Sequence, residues 1–210
     1  MIRGIQSQGV GTSAKHYAAN SQETNRHGTN AIMSERCARE LYVKAFEIAV
    51  KEGGCRSIMT SYNPVNGIWS ACNPDLTGEL IREEWGFDGI VMTDWWAKVN
   101  ADEKGECNMT SLHRMVKAQN DLYMVTPDAS TREDDLPEAL ADGRLPRAEL
   151  VRCAEHICRF AQRTQAFTRL RLGERPGGVY TPENETLTEV FSFGTSAPGI
   201  EHSCASEAGT

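Results

Sequence analysis

The chain has 210 residues, of which 40% are hydrophobic and 24% charged, and its formal net charge is −7. That length and composition fit one ordinary globular domain. The acidic balance argues against nucleic acid or an anionic membrane surface as a partner, and no apolar run approaches the roughly 20 residues of a membrane span.

In chain order, Gly9 to Tyr17 reads as a strand ending in Lys15-His16-Tyr17. Residues 34–52 form an amphipathic helix: Ser34 caps it, Leu41, Ala45, Ile48 and Ala49 share one face, and Gly53-Gly54 stops it. Ser57 to Tyr62 is a second strand, and Asn63 to Gly67 is a loop with two turn signals. Asn73-Pro74-Asp75 opens a helix that runs to Trp85. Gly89 to Thr93 is the third strand, followed by a loop region, and Gln119 to Val125 is the fourth. Leu136 to Gly143 is a short helix and Arg147 to Leu170 a long one, basic towards its end as the helix dipole favours.

Strands alternating with helices imply a parallel sheet with right-handed crossovers. Four such units amount to half of an eight-stranded α/β barrel. From residue 173 onward the chain is rich in Gly, Ser, Thr, Pro and Glu without helical period, and it reads as a flexible tail. The expected division is therefore a partial barrel domain over 1–172 and an irregular tail over 173–210. The first residues lack the apolar core of a signal peptide, so the expected location is cytoplasmic. The Asn-x-Thr sequons at Asn108 and Asn184 carry meaning only in a secreted protein.

Seven cysteines include no Cys-x-x-Cys pair and read as free thiols. The five histidines are scattered, so neither a metal nor a cofactor is expected. Gly9-Val10-Gly11 lacks the third glycine and the lysine of a phosphate-binding loop.

The chemistry gathers at strand ends. Gly89-Ile90-Val91-Met92-Thr93-Asp94-Trp95-Trp96 is an apolar run ending in a carboxylate beside two indoles. A carboxylate at the C-terminal end of a buried strand is where α/β barrels place their reacting groups. Indole faces stack on the C–H faces of sugars, so a glycosidase nucleophile is the first role for Asp94. Lys15-His16 and Tyr62-Asn63 end two other strands, and Arg26 follows the first in a loop. Cations there would donate to sugar hydroxyls and favour the charged form of a carboxylate. Glu23 reads as a structural partner of Arg26, Asp88 as a turn residue, and Trp69 and Trp96 as packing or rim residues.

The runs KHYAANSQETNR, SIMTSYNPVNG and EEWGFDGIVMTDWW, with QNDLYM further on, resemble glycoside hydrolase family 3, the family of many β-glucosidases. The resemblance covers about residues 5–170 and begins at what looks like the fifth barrel strand. It implies the C-terminal half, about strands 5–8, of a TIM-like (β/α)8 barrel. It implies Asp94 as the catalytic nucleophile of a retaining hydrolysis, and Lys15, His16, Arg26, Tyr62 and Trp95 as substrate-binding residues around the −1 sugar. The expected partner is a β-glucoside or oligosaccharide, with no cofactor. No carboxylate aligns with the family's acid/base; Glu103 and Glu106 follow the third strand without motif support. KHYAAN, in place of the Lys-His-Phe-Pro-Gly-His-Gly run of the N-acetylhexosaminidase branch, resembles the β-glucosidase branch. A second reading is a non-catalytic half-barrel, acting in sugar binding or assembly. Its open strand edges would favour self-association or pairing with a missing N-terminal half.

Overall fold

The computed structural model describes residues 1–99, 108–124 and 133–172. Residues Met1–Thr168 pack as one unit, and a second unit begins at Arg169. The fold is α/β. Four parallel strands, β1 (Ser13–Tyr17), β2 (Ser57–Thr60), β5 (Ile90–Trp95) and β6 (Leu122–Met124), lie in the order β1-β2-β5-β6. A two-residue hairpin, β3 (Pro64–Val65) and β4 (Ile68–Trp69), follows β2. The helices are α1 (Ile2–Gln6), α2 (Glu35–Cys37), α3 (Lys44–Lys51), α4 (Leu112–Lys117), α5 (Leu136–Ala141), α6 (Arg147–Gln162) and α7 (Gln165–Arg171). Two further helical segments, Ala38–Tyr42 and Asp75–Glu84, are wound as π-helix.

Register follows from burial. Ser57, Ile58 and Met59 of β2 pair with Ile90, Val91 and Met92 of β5. Ile58 and Val91 are wholly buried among Leu80, Ile81, Trp85 and Phe87. Each such side chain contributes about 1.5–3 kcal/mol through burial. All of β2 is buried, as expected of a parallel strand covered on both faces. Gly89 is required where β5 begins: a Cβ there would lie 2.2 Å from the Arg56 carbonyl oxygen.

Several expectations need correction. The strand predicted from Gly9 starts only at Ser13, and α1 precedes it. Gly9 (φ +74°) and Gly11 instead admit close neighbours, since a Cβ would strike the Gln165 side chain at 2.2 Å and the Phe160 ring at 2.9 Å. The helix over 34–52 turns inward by Val43, Phe46 and Val50, while Leu41 (68% exposed) and Ile48 (44%) face outward. The π-turn at Ala38–Tyr42 adds a residue to the helical repeat, which rotates the apolar stripe away from its simple 3.6-residue phase. The loop at 63–67 holds β3 and the turn of the β3–β4 hairpin, and part of the loop region after β5 is α4, whose Leu112, Met115 and Val116 are buried. The long C-terminal helix breaks after Gln162 into α6 and α7. The tail over 173–210, Glu103 and Glu106 lie outside the described residues.

The described cysteines form no disulfide with one another. Burial pushes the Cys72 and Cys153 thiols up to about 12, which leaves them inert at neutral pH. No helix among the described residues is long and apolar enough to cross a membrane.

Candidate active site

The C-terminal ends of β1, β2 and β5 lie side by side because the three strands are parallel neighbours. In open α/β sheets this end is where ligands bind. The exits of β1 and β2 are tied to each other. The Ser61 backbone N–H donates to the Tyr17 carbonyl at 2.6 Å, and the Ser61 hydroxyl donates to the Ala18 carbonyl at 2.8 Å. The Asn63 amide donates to that same carbonyl at 3.2 Å. Ser61 and Asn63 thus pin the backbone on both sides of Tyr62.

Asp94 sits on β5 and is buried. Its Oδ1 accepts the Trp95 backbone N–H at 2.8 Å, and its Oδ2 lies 3.4 Å from His16 Nε2. The His16 side chain retains 27% exposure against 6% for Asp94, so the pair opens to solvent through the histidine. Burial lowers the His16 pKa below its ordinary value. Asp94 opposes that shift, while Lys15 and Arg26 add to it. The Tyr62 phenol is raised above its ordinary value, first by burial and then by the charge of Asp94 and a side-chain hydrogen bond to it.

The predicted residues therefore meet. His16 and Tyr62 each interact with Asp94, and the Arg26 guanidinium lies over the Tyr62 ring, 4.9 Å from its centroid. Arg26 also pairs with Glu23 at 3.0 Å, which matches the structural role expected of Glu23. Lys15 is exposed on β1 beside His16, and Trp95 is partly exposed at the end of β5. Trp96 adopts φ +52° and its N–H donates to the Met124 carbonyl at 2.8 Å. A bulky residue in the left-handed region is strained, and such residues cluster at functional sites. Trp96 is at the rim, 39% exposed, whereas Trp69 is a core residue at 4%. Asp88 forms a fork with Arg163 at 3.0 and 2.6 Å, an exposed tie.

A cleft of about 240 Å³ adjoins the centre. It shares Arg26 and is otherwise lined by polar Asn20, Gln22 and Thr29 and apolar Ile32, Met33 and Tyr42.

The family model of the glycosyl hydrolase family 3 N-terminal domain matches residues 1–160, three quarters of the chain, including Lys15, His16, Arg26, Tyr62, Asp94 and Trp95. The chain belongs to glycosyl hydrolase family 3. It is 49% identical over 173 residues to a β-glucosidase of Ruminococcus albus, covering 82% of this chain and 18% of that protein. An exo-α-(1→6)-L-arabinopyranosidase of Bifidobacterium longum is 40% identical over 166 residues, covering 79% of this chain and 20% of the relative. The crystal structure of a β-glucosidase from Paenibacillus barengoltzii superposes with a TM-score of 0.76 at 50% identity, over 80% of this chain and 19% of that one. β-Glucosidase 3B from Thermotoga neapolitana, solved with α-D-glucose, gives a TM-score of 0.70 at 36% identity, over 90% of this chain and 25% of that one. The chain spans about a fifth of the length of the family 3 relatives it matches.

Two features escaped the sequence reading. One is a buried network at the opposite ends of the strands. Asp121, immediately before β6, accepts from Arg82 at 2.5 Å and from the Val91 backbone N–H at 2.9 Å, and lies 2.8 Å from His156 Nδ1. Its available signal was an aspartate opening an apolar strand in QNDLYM. The other is His27, whose ring lies on Tyr62 with centroids 4.0 Å apart.

Proposed function

We propose that this chain carries the nucleophile side of a retaining glycosidase of β-glucosidase type, as part of a larger family 3 enzyme. The observation that supports it most strongly is Asp94 at the C-terminal end of β5, buried, facing His16 at 3.4 Å and interacting with Tyr62. A carboxylate so placed can attack an anomeric carbon while the neighbouring donors hold sugar hydroxyls. Asp94 would form the covalent glycosyl intermediate, Tyr62 would orient it, and Lys15, His16, Arg26 and Trp95 would line the −1 subsite. The substrate is a terminal β-linked sugar. The relatives' names include an arabinopyranosidase, so the pentopyranose class belongs in the substrate panel.

The four parallel strands would be the C-terminal half, about strands 5–8, of a (β/α)8 barrel over residues 1–172. An N-terminal half or a second copy would then close the sheet. That reading is supported by β1 and β6 standing at the two edges of the described sheet. The acid/base is left unassigned.

The test is hydrolysis of p-nitrophenyl β-glucoside by the 210-residue chain beside Asp94→Asn, with peptide mapping after reaction with a 2-fluoroglucoside. Label on Asp94 is the expected result; label on another residue overturns the assignment. A folded, inactive chain that regains activity on adding the N-terminal half of a family 3 barrel would place the function in the completed barrel. A folded chain that stays inactive with that half but still binds glucose would favour a non-catalytic sugar-binding module.

A further inference from the structure

Tyr62 is 7% exposed although it stands at the mouth of the site. Tyr62 belongs to the core cluster that holds Trp69, Ala71 and Ala97, and the loop after β1 adds a further cover to its ring. The His27 ring lies on the Tyr62 ring with centroids 4.0 Å apart and planes inclined by 37°, and Arg26 packs beside it. The loop presents His27 from a braced turn. Asn25, at φ +49°, accepts through its carbonyl from the backbone N–H groups of Gly28 at 3.0 Å and Thr29 at 2.9 Å. The Thr29 hydroxyl donates to the same carbonyl at 2.9 Å, and the Gln22 amide donates to the Thr24 carbonyl at 2.8 Å. Arg26 is held from behind by Glu23 at 3.0 Å. Such a loop has little freedom to move His27 off the ring.

We infer that His27 is a positioning residue: by covering the Tyr62 ring it keeps the phenol on the Asp94 carboxylate. A phenol bound to a carboxylate competes with water for that partner, and a covered ring has fewer rotamers through which to turn away. His27 itself remains exposed. The inference rests on the reading of Asp94 as the nucleophile for its consequence in catalysis, but the contact itself is independent of it.

The test uses the full chain labelled with carbon-13 at tyrosine Cζ. The Tyr62 signal is assigned by its loss in Tyr62→Phe, and Asp94→Asn defines its position without the carboxylate. His27→Ala is expected to move the signal towards the Asp94→Asn position, and His27→Phe, which keeps a flat ring, to restore it. In hydrolysis of p-nitrophenyl β-glucoside, His27→Ala should lower kcat about tenfold with KM little changed, again restored by phenylalanine. A Tyr62 signal unmoved in a folded His27→Ala protein overturns the inference. A signal that moves while kcat does not overturns the catalytic consequence. If the unmodified chain hydrolyses nothing even with an N-terminal half of a family 3 barrel added, the hydrolase reading fails, and the carbon signal alone decides whether His27 holds Tyr62.

Discussion

The two ends of the parallel sheet each carry an aspartate beside a histidine, and the two pairs are built to opposite ends. At the N-terminal end of β6, Asp121 is saturated: Arg82 at 2.5 Å, the Val91 N–H at 2.9 Å and His156 at 2.8 Å. Arg82 in turn donates to the carbonyls of Phe87 at 3.0 Å and Gly89 at 2.6 Å, which clamps the turn leading into β5. Its side chain is only 6% exposed, and that burial lowers its pKa against the opposing pull of Asp121. At the C-terminal end of β5, Asp94 has a looser histidine at 3.4 Å that is still in reach of solvent. A buried carboxylate tied to a buried guanidinium fixes a fold; one whose histidine partner still reaches solvent can act on a ligand.

The difference can be tested from its strongest consequence down. Asp94→Asn should reduce glycoside hydrolysis by a factor on the order of a thousand or more, while its denaturation midpoint stays level or rises, since active-site charges are often kept at the expense of stability. Asp121→Ala should do the reverse. It strands a buried guanidinium and should cost about 3–5 kcal/mol in urea unfolding. Adding Arg82→Met should recover part of that loss, and a double-mutant cycle would measure the coupling. Tyr62→Phe removes a hydrogen bond to a charged group, worth about 1.5–3 kcal/mol, and should lower kcat by about ten- to a hundredfold.

Acidity separates the pairs more finely. Because burial depresses the His16 pKa, the unfolded chain binds this proton more readily than the folded one. The associated stability is full above the ordinary value of 6.5 and declines as pH falls below it. In denaturation midpoints taken as a function of pH, His16→Gln should flatten that acid-side decline. The smallest effect belongs to the surface. Arg39 and Glu84 form two bonds of 2.6 Å between side chains that are 39% and 38% exposed, and Arg39→Ala should leave the midpoint where it was.

Much of the site was legible locally. Alternating apolar strands and helices point to a parallel sheet, and strand ends in such a sheet converge at one face. Lys15, His16, Tyr62 and Asp94 each sit at or beside such an end, so their meeting follows from where the apolar runs stop. Arg26 lies in the loop after the first strand, where its charge and the family motif, not a strand end, singled it out. Where local reading went astray, the cause was equally local. A π-turn shifted the phase of the helix containing Val43, and α4 was too short for its period to stand out from its surroundings.

The sequence by itself determined the class of fold, the order of its main elements, the family and the residue types waiting at each strand end, because periodicity and turn chemistry act over neighbours a few residues apart. Only the tertiary structure decided which of two aspartates is sealed and which is left open. That choice depends on Arg82 and His156 reaching Asp121, and on His16 and Tyr62 reaching Asp94, across separations of 32 to 78 residues. Strand register and helix rotation set those contacts, and no local pattern encodes them.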